Sequence, residues 1–455
     1  MSSSPPPHVL LVSAPLQGHV NPLLVLGRRL ASRGLLVTFS TVPHAGLKFS
    51  HGDGEAVNVG RGTLRFEHLQ GGGLWSSDDP RYRESDVMRH LEDAAPAALS
   101  GLIRRQSEAG RAVSCVVANA FAPWVVRVAS AMGVPHAMLW TESCAVLSLF
   151  YHYFHSLADF PSKEAEPNAP VAVPGLPSKM AAGDLPALIH APEQFIWRQV
   201  LVEDLRSLRE TVSWALVNTF DELEHPTIEA LRPHLPIIPV GPLCETESYG
   251  DRDDDCAAWL DAQPPRSVVF VAFGSLLKIS RDELTELAEG LEATGRPFLL
   301  VVRDDNRELL PDDCLAAATD GSRGKVVAWC EQGQVLSHGA VGCFVTHCGW
   351  NSTLEALACG VPVVTYPAWA DQPTNAKFLA DVYGVGVRLP KPMARDALRR
   401  CVEEVMSGPE AAAMRARAGK WKAEASSALS NNGGSSDRAI QEFVNAVLSI
   451  GPNGY

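Results

Sequence analysis

A chain of 455 residues is too long for a single hydrophobic core, so two or three domains are expected. With 46% hydrophobic residues it can bury such cores, and a formal net charge of −13 argues against nucleic acid or an anionic membrane as partner. No run of about 18 apolar residues occurs, so no membrane-spanning helix is expected, and residues 1–7 lack the basic segment and apolar core of a signal peptide.

In chain order, residues 8–14 read as a short apolar strand followed by a loop over 15–19. Asn21 and Pro22 suit the N-cap and first position of a helix over 23–30. The β-branched run 35–41 then completes a strand, helix, strand unit of about 30 residues, which implies a parallel sheet. Strands at 115–118 and 137–139 continue the pattern. Residues 244–265 hold Gly250, an acidic run from Asp251 to Asp255, Pro264 and Pro265, and read as a polar linker. A second series follows, with strands at 268–272, 298–302, 341–346 and 361–366 and a helix over 283–294. Residues 431–436 break a helical stretch before an amphipathic helix over 438–448. The expected organisation is an N-terminal domain (1–243), a linker (244–265), a C-terminal domain (266–435) and a terminal segment (436–455).

This is an α/β pattern of two doubly wound halves, and such folds bind ligands at the carboxyl ends of their strands. Neither half carries a GxGxxG run after its first strand, which argues against a nicotinamide enzyme. No tandem repeat of 20–50 residues is found, which excludes a solenoid. The ten cysteines are scattered. Cys343 and Cys348 have no matching His/Cys pair, so no metal site is expected, and a reducing cytosol is the expected setting.

Residues 329–372 read WCEQGQVLSHGAVGCFVTHCGWNSTLEALACGVPVVTYPAWADQ. A strand ending at Thr346 runs into His347, Cys348 and Gly349, then a helix from about Thr353. Gly349 permits close backbone approach, and amides at a helix start attract phosphate. Asn351, Ser352 and His347 add side-chain donors. Glu355, one turn on, suits ribose hydroxyls, Trp329 offers a flat face for a base, and Asp371 and Gln372 suit sugar hydroxyls.

This stretch resembles the 44-residue signature of plant family 1 UDP-glycosyltransferases, and 329–372 is 44 residues long. One position departs: Glu331 stands where that family commonly has proline. The loop from Gln17 to Pro22 is similar to the family's catalytic loop, and Phe273-Gly-Ser275 to its donor-side serine loop. The resemblance implies the GT-B form, two facing Rossmann-like domains with the active site between them and the last helix packing back on the first domain. It implies Trp329 stacked on uracil, Cys330 and Gln332 at base and ribose, and Glu355 at the ribose hydroxyls. His347, Asn351, Ser352 and Ser275 would face the diphosphate, and Trp350, Asp371 and Gln372 the hexose, with Gly18 and Thr141 completing the donor side. Gln372 leans towards glucose. UDP-glucose would be a co-substrate, with no cofactor or metal, and the protein a monomer. His19 would be the base of an inverting transfer, taking the acceptor's proton while its oxygen attacks the anomeric carbon; an ordinary pKa near about 6.5 suits that role.

Asn119 departs from the pattern, because most relatives have an aspartate there to steady the histidine. An amide oxygen can accept from the imidazole N–H and fix its tautomer, but it cannot offset the charge of a protonated ring. Two accounts stay open. Glu142 supplies the missing charge, or the acceptor needs little deprotonation, as with a carboxylic acid of pKa about 4 that is already ionised at cytosolic pH. Residues 119–124, and 140–145 followed by 151–154, are similar to the ester-forming branch of the family, which glucosylates phenolic and auxin-like acids. Trp75, Phe121, Trp124, Phe150 and Ala370 are the candidate acceptor residues. Transfer to a phenol, flavonoid or terpenoid hydroxyl is the alternative. A sugar-nucleotide-binding protein without turnover is a more distant one, against which His19 speaks.

Overall fold

The computed structural model describes residues 6–42, 47, 51–76, 79, 81, 87–161, 169–177, 180–244, 254–274, 280–303, 309–310 and 323–450. The short apolar runs become strands buried on both faces, as parallel sheets require. The first half contains β1 (His8–Val12), β2 (Leu36–Ser40), β3 (Ala56–Val59), β4 (Gly62–Phe66), β5 (Val113–Asn119) and β6 (His136–Trp140). It continues through a small antiparallel pair, β7 (Pro170–Val171) and β8 (Met180–Ala181), to β9 (Trp214–Val217) and β10 (Ile237–Pro239). Eight of these form one sheet in the order β10-β9-β6-β5-β1-β2-β4-β3, parallel apart from the antiparallel edge pair β3 and β4. The second half contributes β11 (Val268–Ala272), β12 (Phe298–Val301), β13 (Gly324–Val327), β14 (Val341–Thr346), β15 (Val363–Thr365) and β16 (Gly386–Arg388). They form a parallel sheet in the order β13-β12-β11-β14-β15-β16.

Each sheet is built outward from its first strand and then resumed on that strand's other side. Strand order therefore reverses between β1 and β5 in one sheet and between β11 and β14 in the other. At such a switch point the flanking loops part and leave a crevice. His19 and Asn119 follow β1 and end β5; Phe273 and His347 follow β11 and β14.

Contacts between the halves fix the crevice. Trp350 Nε1 donates to the Asn218 carbonyl (2.6 Å) and Thr374 Oγ1 to the Asp184 carbonyl (2.7 Å). Both terminal nitrogens of Arg388 donate to Asp184 Oδ1 (3.0 Å each), and the Ala187 N–H to the Ala370 carbonyl (2.8 Å). The helix Ser435–Ser449 buries Ile440, Phe443, Val444 and Val447 in the core that holds Val9 and Leu11 of β1. Its Asp437 pairs with Arg33 of the first half.

Three boundaries differ from the sequence reading. The first helix spans Gln17–Ser32, so Pro22 lies inside it and His19 in its first turn. Proline has no N–H to offer the carbonyl four residues earlier, and that carbonyl, of Gly18, accepts instead from Asn351 Nδ2 of the other half (2.8 Å). The helix of the signature segment spans Trp350–Cys359 with Gly349 as N-cap, which puts Asn351 and Ser352 in its first turn. Within 244–265, residues 245–253 lie outside the described part, and Asp254–Asp261 is a helix that buries Cys256 and Leu260 beneath its acidic surface.

Candidate active site

A cavity of about 760 Å³ occupies the crevice between the carboxyl ends of the two sheets. On the C-terminal side its floor is built around His347. A Cβ placed on Gly274 would stand 2.7 Å from His347 Nε2, and one on Gly349 2.6 Å from the same atom, so both loops close on the imidazole only because these residues are glycine. Burial lowers the His347 pKa to about 4, and the Ala272 backbone opposes that shift; the ring is neutral at pH 7. Behind it, the first-turn amides of Trp350–Cys359 have no partner within the helix. The Trp350 N–H donates to Asp371 Oδ2 (3.2 Å).

Trp329, Cys330, Gln332, Asn351, Ser352 and Glu355 line one end of the cavity. Trp329 is 40% exposed, unusual for so large an apolar ring and suited to stacking on a flat ligand. Gln332 Nε2 donates to Ser352 Oγ (2.8 Å) and to Glu355 Oε2, which orients the glutamate. Trp350 touches the cavity, but its ring is buried and its N–H ties the two halves together. Ser275 lies outside the described residues.

Asp371 and Gln372 form the other end. Gln372 Oε1 accepts from the Ala368 and Trp369 N–H groups (2.7 and 3.2 Å), leaving its amide NH₂ as the group for a ligand. Burial pushes the Asp371 carboxyl up to about 6, against the pull of bonds from Asn375 Nδ2 (2.6 Å) and the Trp350 N–H. Glu142 also lines the cavity, and burial, then the negative charge of Asp371, raise its pKa well above the usual carboxylate range. Its Oε2 is buried with no hydrogen-bond partner among the described residues. Burial and the neighbouring Asp371 charge thus both favour the neutral form of Glu142.

His19 enters the cavity from the first turn of its helix. Burial lowers its pKa to about 4, with a hydrogen bond to the Ala120 backbone pulling the other way. Thr141 Oγ1 lies 3.4 Å from Nδ1, and the Phe121 ring meets the imidazole edge-on, centroids 5.8 Å apart. Asn119 does not hold the ring as its position suggested. Its Nδ2 donates to the backbone carbonyl of His19 (2.8 Å), and its Oδ1 is buried without a partner among the described residues.

Of the aromatic residues named for the acceptor, Phe121 lines the cavity, as does Ala370. Trp124 and Phe150 are each 1% exposed in the core, Phe150 packed edge-on against Trp140, and neither reaches the cavity. Trp75 stacks on His90 (3.7 Å) under the Arg81 guanidinium, away from it. In their place stand Leu188 and Trp197, whose indole meets the Phe121 ring at 5.8 Å. Both come from the stretch between β8 and β9, where no motif marks them; the only local signal is an aromatic in the first turn of an amphipathic helix. Among the described residues no cluster of three His, Cys, Asp or Glu side chains is placed to hold a metal, and no helix is long and apolar enough to cross a membrane.

Two facing parallel sheets bring to one crevice an exposed tryptophan, a glutamate oriented by Gln332, the open start of a helix and a histidine from the opposite half, an arrangement suited to a nucleotide-sugar-dependent transferase. Residues 167–417 match the UDP-glucoronosyl and UDP-glucosyl transferase family. The chain is 43% identical over 465 residues to a gallate 1-beta-glucosyltransferase of Quercus robur, covering 97% of this chain and 89% of the relative. It is 40% identical over 469 residues to a cinnamate beta-D-glucosyltransferase of Fragaria ananassa, covering 97% and 83%. The crystal structure of Os79 from O. sativa in complex with UDP superposes with a TM-score of 0.84 at 31% identity, covering 96% of this chain and all of that one. The chain belongs to the UDP-glycosyltransferase family and has its GT-B fold.

Proposed function

We propose that the protein transfers glucose from UDP-glucose to the carboxyl oxygen of a small aromatic acid, forming a glucose ester with inversion at the anomeric carbon. One observation carries this reading: burial and the Ala120 backbone, not a carboxylate, set the His19 imidazole. A histidine held at about 4 is a weak base, whereas an acid of pKa about 4 arrives ionised at neutral pH. The carboxylate oxygen then bonds to the anomeric carbon as the bond from that carbon to the diphosphate breaks, and UDP leaves with the electron pair. No proton has to move. His19 orients the carboxylate rather than deprotonating it. The relatives named for gallate and cinnamate act on aromatic acids, in support of the same acceptor class.

On the donor side the proposed roles follow the cavity. Trp329 stacks on uracil, and Cys330, Gln332 and Glu355 hold base and ribose. The amides of Asn351 and Ser352 with His347 receive the diphosphate. Asp371, Gln372 and Thr141 take the hexose, and Phe121, Trp197 and Leu188 the acceptor ring. Residues 1–243 serve as the acceptor half and 266–435 as the donor half. Cys115, Cys144, Cys343, Cys348, Cys359 and Cys401 are free thiols, in keeping with a reducing cytosol.

The test is turnover of UDP-glucose with a panel that pairs each aromatic acid with a phenol of similar size. The acids should be the better acceptors and their products should be cleaved by mild alkali, as esters are. Alkali-stable products from preferred phenols would overturn the reading.

A further inference from the structure

The helix Ile196–Glu210 carries Asp204, a fully buried carboxyl to which the proposed reaction gives no part. One oxygen, Oδ2, accepts from the Phe121 N–H; the other, Oδ1, is buried with no hydrogen-bond partner among the described residues. Burial pushes its pKa well above the usual carboxylate range. A leucine would fill such a site at far lower cost in desolvation. What Asp204 holds explains its presence. Phe121 has φ of 63°, a left-handed conformation that a bulky residue adopts only when its surroundings impose it. It lies between β5 and the helix Pro123–Ala131, in the three-residue stretch 119–121 that serves His19. Asn119 binds the His19 carbonyl, Ala120 offers its backbone to the His19 ring, and the Phe121 ring meets the imidazole edge-on. The Ala120 N–H is anchored on the Leu139 carbonyl of β6 (2.9 Å), so one side of the stretch is fixed by the sheet and the other by Asp204. Trp197 sits seven residues before Asp204, on the same face of the helix. Its indole packs on the Phe121 ring while Asp204 takes the Phe121 N–H, so one helix grips this residue by both side chain and backbone.

We propose that Asp204 is a positioning residue for catalysis, holding Phe121 in its left-handed conformation so that the stretch 119–121 presents the Ala120 backbone and the Phe121 ring to His19. The inference rests on the proposed reaction only in taking His19 as the group beside the attacking oxygen. The carboxyl acts as an acceptor and needs no charge. Asp204→Asn, whose amide oxygen can accept the same N–H, should keep kcat within about threefold of wild type. Asp204→Ala should lower kcat by about tenfold or more, since small misplacements of a reacting group are costly. UDP affinity measured by calorimetry should stay within about twofold, because the donor residues lie on other elements. Phe121→Gly removes the backbone strain, so adding Asp204→Ala to it should cost less than the same change costs in wild type.

Rates are taken on whichever acceptor class the wild type glucosylates, so the carboxyl-acceptor reading can fail while this one stands. If Asp204→Ala does not fold, Asp204→Ser with and without Phe121→Gly gives the same comparison. The proposal is overturned if Asp204→Ala lowers Tm but leaves kcat unchanged, if Asp204→Asn is as impaired as the alanine variant, or if Phe121→Gly leaves the alanine penalty undiminished.

Discussion

His19 and Asp371 set the pH behaviour of the enzyme in opposite ways. Burial lowers the histidine to about 4, so it stays neutral down to mildly acidic pH; burial raises the aspartate to about 6, so it is charged only above that value. A charged Asp371 is the better acceptor for sugar hydroxyls, and kcat/KM for UDP-glucose should fall by about tenfold per pH unit below about 6. Asp371→Asn should lose activity overall but move that limb towards about 4, where His19 protonates. A limb that stays near 6 in the variant would assign it to another group. Trp329 offers a simpler check. Its ring is 40% exposed, so Trp329→Ala should weaken UDP binding by about 1–3 kcal/mol, the scale of base stacking on an aromatic ring. Unchanged UDP affinity in calorimetry would contradict the stacking role.

Two helix starts carry the chemistry, and each depends on a residue that breaks the ordinary helix pattern. In Gln17–Ser32 it is Pro22, whose missing N–H leaves the Gly18 carbonyl to Asn351 of the opposite half. In Trp350–Cys359 it is Gly349, against which His347 packs. Gly349 has an ordinary φ of −58°, so Gly349→Ala strains no backbone and acts only by pushing the His347 ring aside. UDP affinity should drop by about tenfold, as for one lost hydrogen bond to a charged group, while Tm stays close to wild type. A variant that binds UDP normally would show that the imidazole has room to move. Pro22 also explains why the sequence reading started the first helix too late. Asn-Pro is a good start signal by local rules, and only a partner more than 300 residues away reveals that the proline lies inside the helix.

At the scale of the whole molecule, strand order brings together what the chain keeps apart. The proposed donor end of the site is legible in the sequence because it is local: 44 consecutive residues cross one switch point, and most of those singled out in them line one cavity. The two doubly wound halves are legible for the same reason, as each βαβ unit is short. The acceptor end is not. Phe121, Leu188 and Trp197 meet from two separate stretches of the chain, and composition does not distinguish them from Trp124 or Phe150, which packing takes into the core. The role of Asn119 is likewise a tertiary fact, since its position next to β1 is shared by an amide that holds a ring and one that holds a backbone carbonyl.

The central claim, that the acceptor's carboxylate attacks with little help from a base, is tested most directly by the loss of kcat/KM in His19→Ala. The loss is measured on two acceptors: a benzoic acid without phenolic hydroxyls and a phenol of the same size. The phenol, with a pKa near about 10, needs its proton removed and should lose about 10²–10⁴-fold. The acid is already ionised and should lose less than about tenfold, the part that His19 contributes by orienting it. Equal losses on the two acceptors would contradict the account and make His19 a general base for both.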